Sequence, residues 1–330
     1  MREITEAVDL CDARGNLNAE AVGWTRSPLH RTPLTGWGRN KRWEYWGIVT
    51  PRHVIGTTIS SLDYAGVHQL YVYDRATGEE WERGAVVPLA RGTVLPDTLP
   101  PFTAQAQGRG HHLAFADRSG GTRLTARIEE LELDAFAVGG VEHGGRVESL
   151  GVVVPWSRRR FQYTLKGLTR PVTGRITVAG VPHEIPPGSF AVLDRGRGRW
   201  PYEMTWNWAA GSGVVGGVPL GLQLGGKWTD GTGATENALF VAGVAHHIGE
   251  ELSWDYDLAA PMRPWRVRGE RVDATLTPFH VRVAKTSAVV VTGTTQQAFG
   301  TWSGWAVDDA GDRHCVDGLE GWAEQAHNRW

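Results

Sequence analysis

The side chains best suited to chemistry crowd into residues 189–213, SFAVLDRGRGRWPYEMTWNWAAGSG. Two acids lie there among apolar neighbours: Asp194 follows the run 190–193, and Glu203 sits between Tyr202 and Met204. Burial penalises a charged carboxylate, so a buried acid keeps its proton to higher pH. Such an acid can protonate a carbon–carbon double bond, and an indole face can steady the resulting cation. Asp194 and Glu203 are therefore the candidate catalytic residues. Tyr202, Trp206, Asn207, Trp208 and Arg195 are the candidates for holding a substrate, joined by Trp43 and Tyr45 from a second aromatic run. Arg195, Arg197 and Arg199 alternate after Asp194, which is expected either to pair with one of them or to line a cavity.

These residues need strands to position them. By the two-residue period, Tyr202, Met204, Trp206 and Trp208 share one face, and Glu203, Thr205 and Asn207 the other. In a closed barrel one face is the lumen. The polar row inward would place Glu203 and Asn207 on a ligand; the aromatic row inward would make a flat apolar lining. A strand between two layers, with its tryptophans in the core, fits the same pattern. KRWEYWGIV at 41–49 is a second such strand, with Trp43 and Tyr45 on one face and Glu44 and Trp46 on the other. Aromatics on both faces imply cover on both sides. Arg42 and Glu44 are expected to pair at the surface, where an ion pair contributes little.

The composition asks for many short strands. Gly 43 and Pro 17 among Val/Thr-rich runs, with no sustained helical stripe, point to an all-β chain. Hairpins are expected at 74–78 and around Gly180, and a Pro-rich loop at 96–101. The arginine run 158–160 reads as a solvated edge. A length of 330 residues suggests two domains. The turn-rich stretch 230–233 offers a break, giving domains 1–235 and 236–330. Trp 16 is a surplus that points to stacking on a ligand, to interfaces or to large cores. Lys+Arg 34 against Asp+Glu 36 leaves a net charge of −2, which argues against a nucleic-acid partner. His111–His112 and His246–His247 are adjacent pairs that a strand would point to opposite faces. No zinc-type spacing or phosphate loop occurs, so neither metal nor cofactor is expected. Cys11 and Cys315 read as free thiols. No signal-peptide pattern or membrane-length apolar run is present, so a cytoplasmic monomer or homodimer without membrane insertion is expected.

The order of these features resembles a family. VTGRITVAGVPHEIPPGSFAVLDRGRG followed by WNWAAGS is similar to the carotenoid hydratase (hydroxyneurosporene synthase) superfamily of two-domain lipocalin-like proteins. Gly174 through Gly180 match its glycine-bounded hairpin, Asp194-Arg195 its Asp-Arg pair, and Trp206-Asn207-Trp208 its Trp-acid-Trp strand. SRRRFQYTLKG resembles the segment before the hairpin, and GLEGWAE the Gly-aromatic-x-Glu at the end. GWTRSPL and KRWEYW resemble a bacterial domain family of unknown function within the same superfamily. Arg197 stands where the superfamily has Trp, and Asn207 where it has an acid. The resemblance implies two consecutive lipocalin-like antiparallel β-barrels able to hold a small apolar ligand. It also implies hydration, cyclisation or isomerisation of a C=C bond in an isoprenoid- or polyketide-like substrate. Two other functions fit these residues: a non-catalytic carrier of an apolar ligand, and carbohydrate binding by stacked tryptophans.

Overall fold

A computed structural model describes residues 1–139, 147–288 and 291–330. Among them the chain is almost wholly strand, with a 3-10 turn at Ala19–Ala21 and no α-helix. No helix of the described residues is long and apolar enough to cross a membrane. Both cysteines are free.

The chain divides into two compact units, residues 2–200 and residues 201–330, with Met1 counted in the second. Each unit curls one antiparallel sheet around its own apolar core, the arrangement of a lipocalin-like barrel. The division does not fall at 235. The turn at 230–233 joins Val218–Gly226 to Asn237–Val241, which pair within one sheet, whereas Pro201 follows the last strand of the first sheet. Turn chemistry marks a break between strands, and the pairing decides which sheet owns them.

In the first unit four strands run as successive hairpins: Asn40–Val49, His53–Ser61, Ala65–Asp74 and Glu80–Pro88. The 74–78 turn closes the last of them, as the sequence indicates. Phe190–Arg199 then pairs with Asn40–Val49 on one side and with Arg160–Val178 on the other. Beyond lie Leu131–Val138, Gly121–Ile128, His111–Arg118 and Thr103–Gly108, each paired with the next. The hairpin from Arg160–Val178 to Val181–Ile185 turns on Ala179 (φ 49°) and Gly180 (φ 82°), the two positive φ values of a type I′ turn.

Arg160–Val178 runs for 19 residues through a β-bulge. Between Gly167 and Arg170 the register slips, so that this strand spends one residue more than its partner, which steps only from Leu193 to Ala191. One extra residue exchanges the faces of everything after it. Before the bulge Phe161, Tyr163 and Leu165 belong to the core; after it Val172, Ile176 and Val178 do. The second unit repeats the device between Pro278 and His280. There Leu276 faces the core before the slip and Val281 packs on it afterwards.

Candidate functional site

The first unit holds a cavity of about 380 Å3, room for roughly a dozen waters at their liquid volume. Trp46, Phe102, Leu165, Leu193, Pro100 and Pro101 give it apolar walls. Arg26, Arg118, Arg170, Arg195 and Asp117 add the charged groups. Small-molecule sites have this make-up: a mostly apolar hollow with few polar groups fixed in place.

The strand Phe190–Arg199 builds one wall. Its alternation places Ala191, Leu193 and Arg195 toward the core, with Val192, Asp194, Gly196 and Gly198 on the opposite face. Those glycines leave space there: a Cβ at Gly196 would sit 2.1 Å from the Trp43 ring, and one at Gly198 2.2 Å from Oε1 of Gln162. Arg195 is held by two partners, Glu44 and Phe102. Its Nε and Nη2 donate to Oε2 of Glu44 at 3.0 and 2.7 Å, and its guanidinium carbon lies 3.5 Å over the Phe102 ring. Glu44 is fully buried and also accepts from Nε1 of Trp46 at 3.1 Å. The remaining nitrogen, Nη1 of Arg195, is buried and has no acceptor among the described residues.

Arg170 reaches the same cavity because of the bulge. Without the extra residue, position 170 would face away from the core that Ala191, its partner, faces. Thr169 inside the bulge has φ 52°, a left-handed conformation that is uncommon for a β-branched residue. Strain of this kind persists where the surroundings hold it, often beside a functional group. Gly167 and Gly139 clear the path of the side chain: a Cβ would lie 2.5 Å from Nε of Arg170 in the first case and 2.2 Å from its Nη1 in the second. Nε of Arg170 is buried without an acceptor among the described residues. Burial pulls the Arg170 guanidinium down to about 10; Asp117 opposes that shift and Arg195 adds to it.

Exposed Arg118 donates to the Asp117 carbonyl at 2.9 Å, and the remaining charged groups are engaged more fully. Asp117 accepts from the Phe102 backbone N–H at 2.8 Å and from the Thr122 hydroxyl at 3.0 Å. Arg26 pairs with Glu3 at 3.1 Å and with buried Glu148 at 3.2 Å. The Pro-rich loop that supplies Pro100 and Pro101 is tied down by Arg197, whose Nε and Nη2 donate to the Pro96 carbonyl at 3.3 and 3.2 Å.

Of the site residues expected from sequence, Arg195 lines this cavity and the others do not. Asp194 is buried on the opposite face. It is paired not with an arginine but with Lys166 at 2.9 Å, and it accepts from Trp43 Nε1 at 2.9 Å and Thr164 Oγ1 at 3.2 Å. The period-two rule already forbids the expected pairing, because 195, 197 and 199 face away from 194. Trp43 and Tyr45 are on that same outer face, Trp43 edge-on to Trp200 at 5.6 Å, while Trp46 takes the cavity side. Glu44 pairs inside with Arg195 rather than with Arg42, which bonds Asp63 at 3.3 Å.

The remaining expected residues belong to the second unit. Glu203 is 53% exposed in its side chain and faces His327 at 3.2 Å. Tyr202 is 45% exposed, with the Arg329 guanidinium 5.2 Å from its ring. Trp206 donates to Glu324 at 3.2 Å and buried Trp208 to Gln223 at 2.9 Å. Asn207 is buried and bonds Tyr256 and the Glu324 carbonyl, each at 3.1 Å. The polar row of this strand does face the core, where Asn207 shares a side with Ala209. Glu203 lies at its exposed end.

Sequence reasoning missed Arg170, Trp46, Phe102 and Asp117. Trp46 had a signal, since it shares a strand face with buried Glu44. Arg170 had a weaker one, in the bulge-prone Gly167-Leu168-Thr169-Arg170-Pro171. Phe102 and Asp117 are brought in by long-range pairing and have none.

Fold and cavity together describe a two-barrel, lipocalin-like protein with a mixed apolar and guanidinium-lined hollow in its first unit. The family described as DUF2804, a domain of unknown function, matches residues 1–330, and the chain belongs to it. Among solved structures it is similar to a candidate AttH of Nitrosomonas europaea, with 16% identity over 87% of this chain and 92% of that one, at a TM-score of 0.53. It is also similar to kievitone hydratase of Nectria haematococca, with 12% identity over 89% of each chain and a TM-score of 0.48. A third is CghA with Sch210972, with 10% identity over 91% of this chain and 89% of that one, at 0.44. The first likeness is one of fold, and the other two, below 0.5, add nothing to it. No curated protein matches the sequence.

Proposed function

We propose that the first-unit cavity takes a compact, largely apolar molecule by the oxygen of a conjugated carbonyl and promotes hydration, cyclisation or isomerisation of the adjoining C=C bond. The observation that carries this reading is the buried, acceptor-less Nη1 of Arg195 in an apolar-walled hollow. A buried donor without a partner costs about 1–3 kcal/mol, which an arriving oxygen recovers.

The chemistry follows from the sign of the charge. When a nucleophile adds to a conjugated C=C bond, or a proton leaves beside it, charge builds on the carbonyl oxygen. A fixed N–H directed at that oxygen binds the transition state more tightly than the ground state. Glu44 and Phe102 hold Arg195 rigid, so little reorganisation is needed during the reaction. The same arginines disfavour a carbocation, the intermediate expected when Asp194 or Glu203 was taken as the acid. A volume of about 380 Å3 suits a compact ring system better than a long polyene.

The carrier reading is favoured by one feature: both oxygens of Asp117, the cavity's carboxylate, already accept hydrogen bonds. The test is titration with a panel of α,β-unsaturated ketones, reading tryptophan fluorescence for binding and enone absorbance for turnover. Arg195→Lys keeps a cation beside Glu44 and removes Nη1. It is expected to lower turnover by roughly 10²-fold or more while the protein stays folded. Saturable binding without absorbance change would make the protein a carrier. Absence of binding, with a response to oligosaccharides instead, would reject the cavity reading.

A further inference from the structure

Of the four arginines lining the cavity, Arg195 and Arg170 differ in charge balance, and the difference selects a ligand. Arg195 has its counterion: Glu44 accepts two of its N–H groups on one oxygen. A neutral carbonyl dipole suffices for its remaining Nη1. Arg170 is different. Among the described residues no hydrogen bond or ion pair to its guanidinium is found; the residue is half-buried, and its Nε is enclosed without an acceptor. Asp117, whose charge favours the Arg170 cation, forms no ion pair with it; its two oxygens each accept one hydrogen bond, from Phe102 and Thr122. Arg26 cannot help, being a cation that already shares Glu3 and Glu148.

A guanidinium loses hydration as it is enclosed, and an enclosed charge is ordinarily paired; Arg170 is half-buried, with its Nε shut off from water. The backbone here brings the cation in deliberately, through a bulge, a strained Thr169 and glycines at 139 and 167 that clear its path. A guanidinium also matches the fork of a carboxylate better than any other side chain does.

We infer that the ligand is a monocarboxylate, its anionic group seated on Arg170 and its neutral conjugated oxygen on Arg195. This deepens the function proposed above and rests on it. The substrate class is then an apolar enone or phenol-like body bearing one free acid. Esters and amides of the same body lose the Arg170 contact and keep the one to Arg195.

The experiment is calorimetric titration of the full chain with matched pairs: 4-carboxychalcone against its methyl ester, and 4-phenylbutyrate against its methyl ester. In the wild type the acid is expected to bind at least about tenfold more tightly than the ester, a difference of about 1.4 kcal/mol. In Arg170→Met the advantage is expected to shrink to within about twofold, and in Arg170→Lys to persist in part. Arg195→Lys is expected to weaken acid and ester alike. Should Arg170→Met fail to fold, wild-type thermal melting decides: a larger upward shift with acid than with ester at equal concentration supports the inference, and equal shifts overturn it. Equal binding of acid and ester, or a preference that survives in Arg170→Met, refutes the carboxylate and leaves the cavity reading standing. If neither member of either pair binds the folded wild type, the cavity reading falls and the inference with it.

Discussion

Replacing Asp194 with Asn strips buried Lys166 of the carboxylate 2.9 Å away and weakens the bond from the Trp43 indole. Breaking one side of a buried pair costs about 3–5 kcal/mol. Asp194→Asn is therefore expected to lower the unfolding free energy read from chemical denaturation by that amount, and ligand affinity measured on the folded fraction is expected to hold. A loss of affinity at unchanged stability would put Asp194 back at a ligand. Tryptophan shows a related economy. Indole N–H groups are met by buried partners in both units: Trp200 by Gln162 at 2.6 Å, Trp228 by Glu236 at 2.6 Å and Trp302 by the Ala210 carbonyl at 3.1 Å. Much of the surplus of Trp thus serves the sheets, and Trp46 is the one among the cavity walls. Histidine sets the acid limit. Burial pulls His68 from 6.5 down to about 4, and His111, 3.0 Å away, adds to the shift. Burial likewise brings His30, His53 and His247 to about 4. The unfolded chain takes up these protons near 6.5 while the folded one resists them. Stability is therefore whole above about 6.5 and falls as pH drops toward 4. His68 alone accounts for on the order of 2–3 kcal/mol of that loss. Denaturation at stepped pH should show this slope, and His68→Asn should reduce it by the His68 share, leaving that of His30, His53 and His247.

At the scale of the element, the bulge in Arg160–Val178 serves both packing and the site. It transfers the core face from odd to even positions and, in the same step, brings Arg170 inward. Gly167 is the position where this can be tested without deleting a contact. A methyl group there would meet Nε of Arg170 at 2.5 Å, so Gly167→Ala has to move the guanidinium. The expected result is a roughly tenfold loss of carboxylate affinity with ester affinity unchanged, and a stability change within about 1 kcal/mol, since the clash is with a flexible side chain. Equal loss for both ligands would mean that the backbone had shifted instead. The Phe190–Arg199 strand shows the complementary rule. Its glycines admit Trp43 and Gln162 on one face, which frees its arginines to serve the other.

At the scale of the molecule, the two units follow the same strand order. Four successive hairpin strands lead, and the last strand of the unit returns to pair with the first of them. Glu44 opposite Arg195 in the first unit corresponds to Asn207 opposite Gln325 in the second. The charged pair prepares a cavity. In the second unit Asn207 and Gln325 are bound by Tyr256 at 3.1 and 2.5 Å, and Lys227 reaches the same hydroxyl at 2.6 Å. A small molecule is thus expected to act on one unit. Hydrogen exchange with bound 4-carboxychalcone should show added protection in Asn40–Val49, Arg160–Val178 and Phe190–Arg199, and none in Glu203–Val215 or Glu320–Arg329. Protection in the second set would relocate the site.

The sequence by itself determined the all-β class, the hairpins at 74–78 and around Gly180, and the faces of 41–49 and 202–208. These depend on local steric rules: two-residue alternation, positive φ at Gly, and Pro without an N–H. It also carried the motifs by which the two-barrel family is recognised. It did not determine where the units divide, since turn residues look alike within a sheet and between sheets. Nor did it determine which face of Asp194-Arg195 meets a ligand. That depends on which side the sheet curls toward, a property of the whole set of pairings. The bulge at Gly167–Arg170 lies beyond local reading for the same reason. One extra residue is visible only against a partner strand, and here that partner is more than twenty positions away, where Leu193 and Ala191 set the count.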